Sequence, residues 1–127
     1  GVMGARLGGL MSLAMGKSHP WVFGRIGAVS PTVMWGDGEL FRLWDRPTDR
    51  WCRLYMDVGS LERYWFYDIY LDYVEATEHF YEHLKRIGVG DHELRYVVAP
   101  DHFHNEEAWQ GRLPDIFRWL LEDAQGV

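Results

Sequence analysis

Six residues near the start of the chain, Gly4-Ala5-Arg6-Leu7-Gly8-Gly9, carry the glycine frame of the G-x-S-x-G nucleophile elbow. In that turn a strand bends sharply into a helix and lifts its central side chain above the helix N-terminus. Chemistry there needs a hydroxyl to attack, an imidazole to take its proton and an acid to orient the imidazole. Arg6 stands where the hydroxyl would be, and a guanidinium that stays protonated can neither attack nor accept a proton. It can hold an anion. Arg6, with the N–H groups at Gly8 and Gly9 in the first turn of a helix, is a candidate site for a carboxylate or phosphate.

Two other patterns compete for attention. His79-Phe80-Tyr81-Glu82-His83 fits the H-x-x-E-H zinc pattern. Asp72, Glu75 and Arg86 flank the same helical face, which reads as a solvated, ion-paired flank, so no metal is expected. Cys52 precedes a strand at the end away from the turn and reads as a packed thiol.

The elements that must position these residues alternate. Gly8 to Lys17 is apolar almost all round and suits a helix buried under a sheet. Arg25 to Ser30 reads as a short buried strand stopped by Pro31. Residues 32 to 51, with Gly36, Gly38, Pro47 and three tryptophans, read as a long surface excursion. Arg53 to Val58 is a second strand. From Ile69 to Arg86 the spacing of Ile69, Tyr73, Thr77, Phe80, Leu84 and Ile87 predicts an amphipathic helix, stopped by Gly88 and Gly90. Glu93 to Val98 is a third strand, and Pro114 is expected in the first turn of a last helix that turns Phe117, Leu120 and Leu121 inward. This order is α/β with a parallel sheet.

Composition bounds the rest. The 127 residues suffice for one domain, residues 1–127, and 47% apolar with 25% charged residues is ordinary for a soluble protein. Seven tryptophans and seven tyrosines exceed what a core of this size needs, so some should line a cleft or an interface. A net charge of -6 without a Lys/Arg cluster argues against nucleic-acid partners. One cysteine allows no intrachain disulfide, and Gly8, Gly9 and Gly16 interrupt the apolar start with no transmembrane run after it. The expectation is a soluble protein without a membrane partner, in the cytoplasm.

Three further segments match a family in order. His19-Pro20-Trp21-Val22-Phe23-Gly24-Arg25 leads into Ala28-Val29-Ser30-Pro31; Asp57-Val58-Gly59-Ser60-Leu61-Glu62 follows; His104-Asn105-Glu106-Glu107-Ala108-Trp109 comes last. Together with the glycine turn they closely resemble the putative-esterase family of α/β-hydrolases, which includes esterase D, enterochelin esterase and feruloyl esterase domains. The resemblance implies a truncated α/β-hydrolase fold with about three parallel strands flanked by helices. It assigns Arg6 to the serine's position, Glu62 to the acid and His104 to the base. Without the resemblance, Glu62 beside Arg63 reads as an exposed helix-start carboxylate, and His104, near His102, as a loop histidine.

The resemblance also implies an oxyanion hole using the N–H of Leu7 and a second N–H from an N-terminal half expected to be absent. Trp35, Trp44, Trp65 and Trp109 would surround a flat or apolar acyl group, and no cofactor is implied. The strand feeding the turn reads as reduced to Gly1-Val2-Met3, which leaves one side of the strand near Val29 bare. A second copy covering that edge or the first helix would make a homodimer or higher oligomer. Three functions remain open: an ester hydrolase working on water through His104 and Glu62, a non-catalytic binder in which Arg6 holds an anion or pairs with Glu62, and a degenerate product that still folds.

Overall fold

The computed structural model describes residues 1–102 and 106–122. Its frame is a parallel sheet of β1 (Val2–Arg6), β2 (Arg25–Pro31), β3 (Arg53–Gly59) and β6 (Leu94–Ala99), in the order β1-β2-β3-β6. Between β3 and β6 lies an antiparallel hairpin of β4 (Arg63–Phe66) and β5 (Ile69–Asp72). The helices are α1 (Leu7–Ser18), α2 (Trp35–Leu43), α3 (Tyr73–Ile87) and α4 (Glu106–Leu121).

Alternation along the strands sends side chains to two cores. Ile26 and Ala28 of β2 and Leu54 and Met56 of β3 meet Leu10 and Leu13 of α1, Leu40 of α2 and Phe80 and Leu84 of α3. On the opposite face Val29 and Tyr55 meet Ile116 and Leu120 of α4. The sheet is thus sandwiched, with α4 on its second face. β3 is buried along its whole length. Among the described residues no helix is long and apolar enough to cross a membrane.

Several expectations need correction. The strand that feeds the glycine turn runs from Val2 to Arg6 and pairs with β2, so the sheet has a fourth parallel strand and β2 has neighbours on both sides. The edges without a partner strand among the described residues are therefore β1 and β6, not the strand at Val29. The excursion over 32 to 51 contains α2, and Trp44 is core: it is fully buried and its Nε1 donates to the Leu13 carbonyl at 3.1 Å. Ile69 to Asp72 pair with β4, and helix α3 starts at Tyr73 because the Asp72 carboxylate caps the Glu75 N–H at 2.9 Å. At the other end Gly88, in a left-handed conformation, stops the helix as expected.

Pro114 lies inside α4, not at its start. Gln110, whose carbonyl loses a partner to the proline, is exposed, so water can replace the missing donor. Ile116 and Leu120 face inward, whereas Phe117 and Leu121 are exposed. In α1 the buried side is Leu10, Leu13 and Gly16, and Met11 is out in solvent.

Candidate functional site

Parallel strands end on one rim, and ligands of open α/β sheets bind outside that carboxyl edge. Here the rim collects Arg6 at the end of β1, Ser30 at the end of β2, Glu62 three residues past β3, and Asp101 and His102 past β6. Arg6 connects β1 to α1 with φ 57° and ψ −122°, a backbone that non-glycine residues avoid. The turn is held by the Thr32 N–H, which donates to the Arg6 carbonyl at 3.1 Å. It is tight enough that a Cβ on Gly4 would sit 2.5 Å from the Gly8 carbonyl oxygen. Only glycine lets strand and helix approach this closely.

The Arg6 guanidinium lies over the Trp109 ring, 4.9 Å from its centroid, within cation–π range. Helix α1 begins at Leu7 with no side-chain cap and no acid in its first turn, so the N–H groups of Leu7, Gly8 and Gly9 give the turn a positive end. A cleft of about 900 Å³ opens beside it. Arg6, Leu7 and Gly8 form one wall, Trp35 another, and Leu61, Arg63, Tyr64, Phe66 and Leu71 a third. Burial and the neighbouring Tyr73 hydroxyl push the Tyr64 hydroxyl up to about 12, so it stays protonated at neutral pH.

The four expected tryptophans divide. Trp35 lines the cleft. Trp44 belongs to the core. Trp109 lines a smaller depression of about 250 Å³ beneath the turn, with Gly4, Ala5 and Val29. Trp65 does not line the cleft: neighbours along a strand face opposite ways, and with Tyr64 and Phe66 turned inward Trp65 turns outward against Tyr70, their rings 5.2 Å apart. Phe66 takes the place expected for it.

Glu62 is not an exposed helix-start carboxylate but fully buried. Its Oε1 accepts from the Ser30 hydroxyl at 2.5 Å and the Gly59 N–H at 2.6 Å. His104, the expected base, lies outside the described residues. His102, two positions before it, accepts at Nδ1 from Arg112 Nη1 at 2.9 Å. Because a guanidinium only donates, the His102 ring proton must sit on Nε2.

Sequence reasoning missed the group beneath the rim. Asp57 of β3 and Arg112 of α4 form a buried bidentate pair, Nε to Oδ2 at 2.8 Å and Nη2 to Oδ1 at 3.1 Å. Asp57 also accepts from the Ser30 N–H at 3.1 Å and the Tyr55 hydroxyl at 2.7 Å. Burial pushes the Asp57 carboxyl up, and Arg112, then Tyr55, pull it back. Tyr55 is pushed up by burial and by the Asp57 charge. The one signal in the sequence was an aspartate inside a strand that is otherwise almost free of charge.

Two competing patterns resolve locally. His83 Nε2 lies 2.7 Å from the Trp44 carbonyl and its ring packs on Phe41 and Phe80, a structural role. Burial raises the Cys52 thiol to about 11, which keeps it protonated and unreactive.

Comparison with known proteins places this geometry. A family model described as Putative esterase matches residues 1–120. A solved ferulic acid esterase superposes with a TM-score of 0.70 at 17% identity, covering 91% of this chain and 49% of its own. A crystal structure of the BES protein from Bacillus cereus gives 0.73 at 19% identity, covering 93% of this chain and 44% of its own. At these identities the likeness is one of fold, and the chain spans less than half the length of either structure. No curated protein matches the sequence.

Proposed function

This chain belongs to the putative-esterase family, and from that premise we propose that it is an esterase-like hydrolase of carboxylic esters or related acyl compounds whose nucleophile elbow carries Arg6 instead of serine. The observation that supports this most is the backbone at Arg6. A strained residue of positive φ, joining a parallel strand to a helix N-terminus and opening on a cleft, is what an elbow requires, whatever side chain it bears. With no hydroxyl to acylate, the route left is attack by water, its proton taken by His104 and the imidazole oriented by Glu62. General-base catalysis alone contributes about 10²- to 10⁴-fold, so turnover is slow. Trp35, Leu61, Phe66 and Leu71 suit an apolar or flat acyl group.

A second reading has its own support, because Arg6 and Arg63 both line the cleft beside an α1 N-terminus without an acidic residue. In that reading the protein is a pseudoenzyme that holds a carboxylate against the apolar wall. One pair of measurements separates the two. Slow phenyl acetate hydrolysis that His104→Ala abolishes is the expected result for the hydrolase. Calorimetric binding of benzoate that Arg6→Ala removes, with no hydrolysis above buffer, would replace it by the binder.

Assembly follows from β1. Its outer backbone edge is without a partner strand among the described residues, and Met3 of β1 and Leu7 and Met11 of the following helix α1 are exposed. We propose that a second copy covers it in a two-fold pair. Light scattering at micromolar concentration should give twice the 14.9 kDa chain mass; a monodisperse monomer ends this proposal.

A further inference from the structure

We infer that Arg112 is a positioning residue, which sets the orientation of the Glu62 carboxylate through the hydroxyl of Ser30. The inference rests on the reading of Glu62 as the acid of the site. A hydroxyl has one proton to give and two lone pairs to fill. Ser30 Oγ receives Arg112 Nη2 at 2.9 Å and Trp109 Nε1 at 3.0 Å. Neither nitrogen can accept, so the Ser30 proton is forced toward Glu62 Oε1, 2.5 Å away. The Gly59 N–H fixes the same oxygen from the other side. Oε1 is therefore spent inward, and an imidazole base would be oriented through Oε2.

The guanidinium is itself held. Asp57 grips it at two nitrogens, and its remaining nitrogen, Nη1, donates to His102 Nδ1. One side chain on α4 thereby ties the end of β2, β3, the Glu62 turn and the segment after β6. The two loops also touch directly, since a Cβ on Gly59 would collide with the His102 carbonyl. A plain buried ion pair would satisfy Asp57 alone. The branch to Ser30 and His102 is what a positioning role adds.

Lysine at 112 keeps the charge but has one nitrogen, which cannot bridge Asp57, Ser30 and His102 together. The test compares Arg112→Lys and Arg112→Met in the full chain by two measurements. The first is amide exchange at Gly59, whose N–H reports on Glu62 Oε1, relative to Leu54 in the middle of the core. In either variant Gly59 exchange should rise about tenfold more than Leu54 exchange, the loss of one hydrogen bond's worth of protection. The second uses the Arg6→Ser background with phenyl acetate. There kcat should fall about 10²-fold, the cost of a misplaced catalytic group, with KM unchanged. Equal rises at Gly59 and Leu54, or an unchanged Gly59, would overturn the inference and leave Arg112 as a stabilising residue only. Should Arg6→Ser show no turnover at all, the acid reading of Glu62 falls, and the exchange ratio still decides whether Arg112 orients that carboxylate.

Discussion

Replacing Arg6 by serine is expected to create an aryl esterase, raising phenyl acetate turnover about 10²- to 10³-fold over the unaltered chain. The backbone at residue 6 already has the φ and ψ of an elbow, so the new hydroxyl needs no main-chain adjustment to stand above α1. Glu62 is held by hydrogen bonds to Ser30 and Gly59, neither of which is made by residue 6. The exchange also clears a bulky guanidinium from the cleft wall, where the acyl group must sit. A burst of phenolate followed by slow turnover would show an acyl-enzyme forming at the new serine. No gain in Arg6→Ser, with the fold intact by circular dichroism, would mean that Glu62 and His104 are not poised as acid and base, and would favour the anion-binding reading.

What the sequence disclosed follows from how local each signal was. β2, β3 and α1 stood out as short apolar runs bounded by proline or glycine, and the body of α3 because its apolar residues recur at three and four. β1 was read too short because Val2-Met3-Gly4-Ala5-Arg6 mixes a glycine and a cation into an edge strand whose pairing partner lies over twenty residues away. The hairpin escaped for a different reason. Ile69 is four residues before Tyr73, so the helical spacing of α3 extends backward through β5 unbroken, and only the Asp72-to-Glu75 cap marks the true start. Trp65 was misassigned because composition tells that aromatic residues line a cleft without telling which face of a strand they take. At the site, the glycine frame was visible as a short motif, and Glu62 stood out only through the family resemblance. Arg112 was not, because its partner Ser30 is 82 residues earlier in the chain and only the packing of α4 under the sheet joins them.

The largest loss of stability is expected from a change of one atom, Asp57→Asn. Both carboxylate oxygens accept from two donors: Oδ1 from the Ser30 N–H and Arg112 Nη2, Oδ2 from the Tyr55 hydroxyl and Arg112 Nε. An amide has only one oxygen. Whichever way the substituted side chain turned, its NH₂ would face an Arg112 N–H that cannot accept, and the Arg112 charge would stay buried with Glu62 its nearest remaining counter-charge, 3.8 Å away. Breaking one side of a buried pair in this way costs about 3–5 kcal/mol, a large share of the roughly 5–15 kcal/mol that holds a domain together. The remedy is to remove the stranded charge as well. Adding Arg112→Met to Asp57→Asn should recover part of the loss, because an apolar side chain of similar length asks nothing of its surroundings. Urea unfolding of the two single variants, the double variant and the parent closes the cycle. A double variant less stable than Asp57→Asn alone, with the two losses simply adding, would show that residues 57 and 112 contribute independently and that the pair is not the unit anchoring α4 beneath the rim.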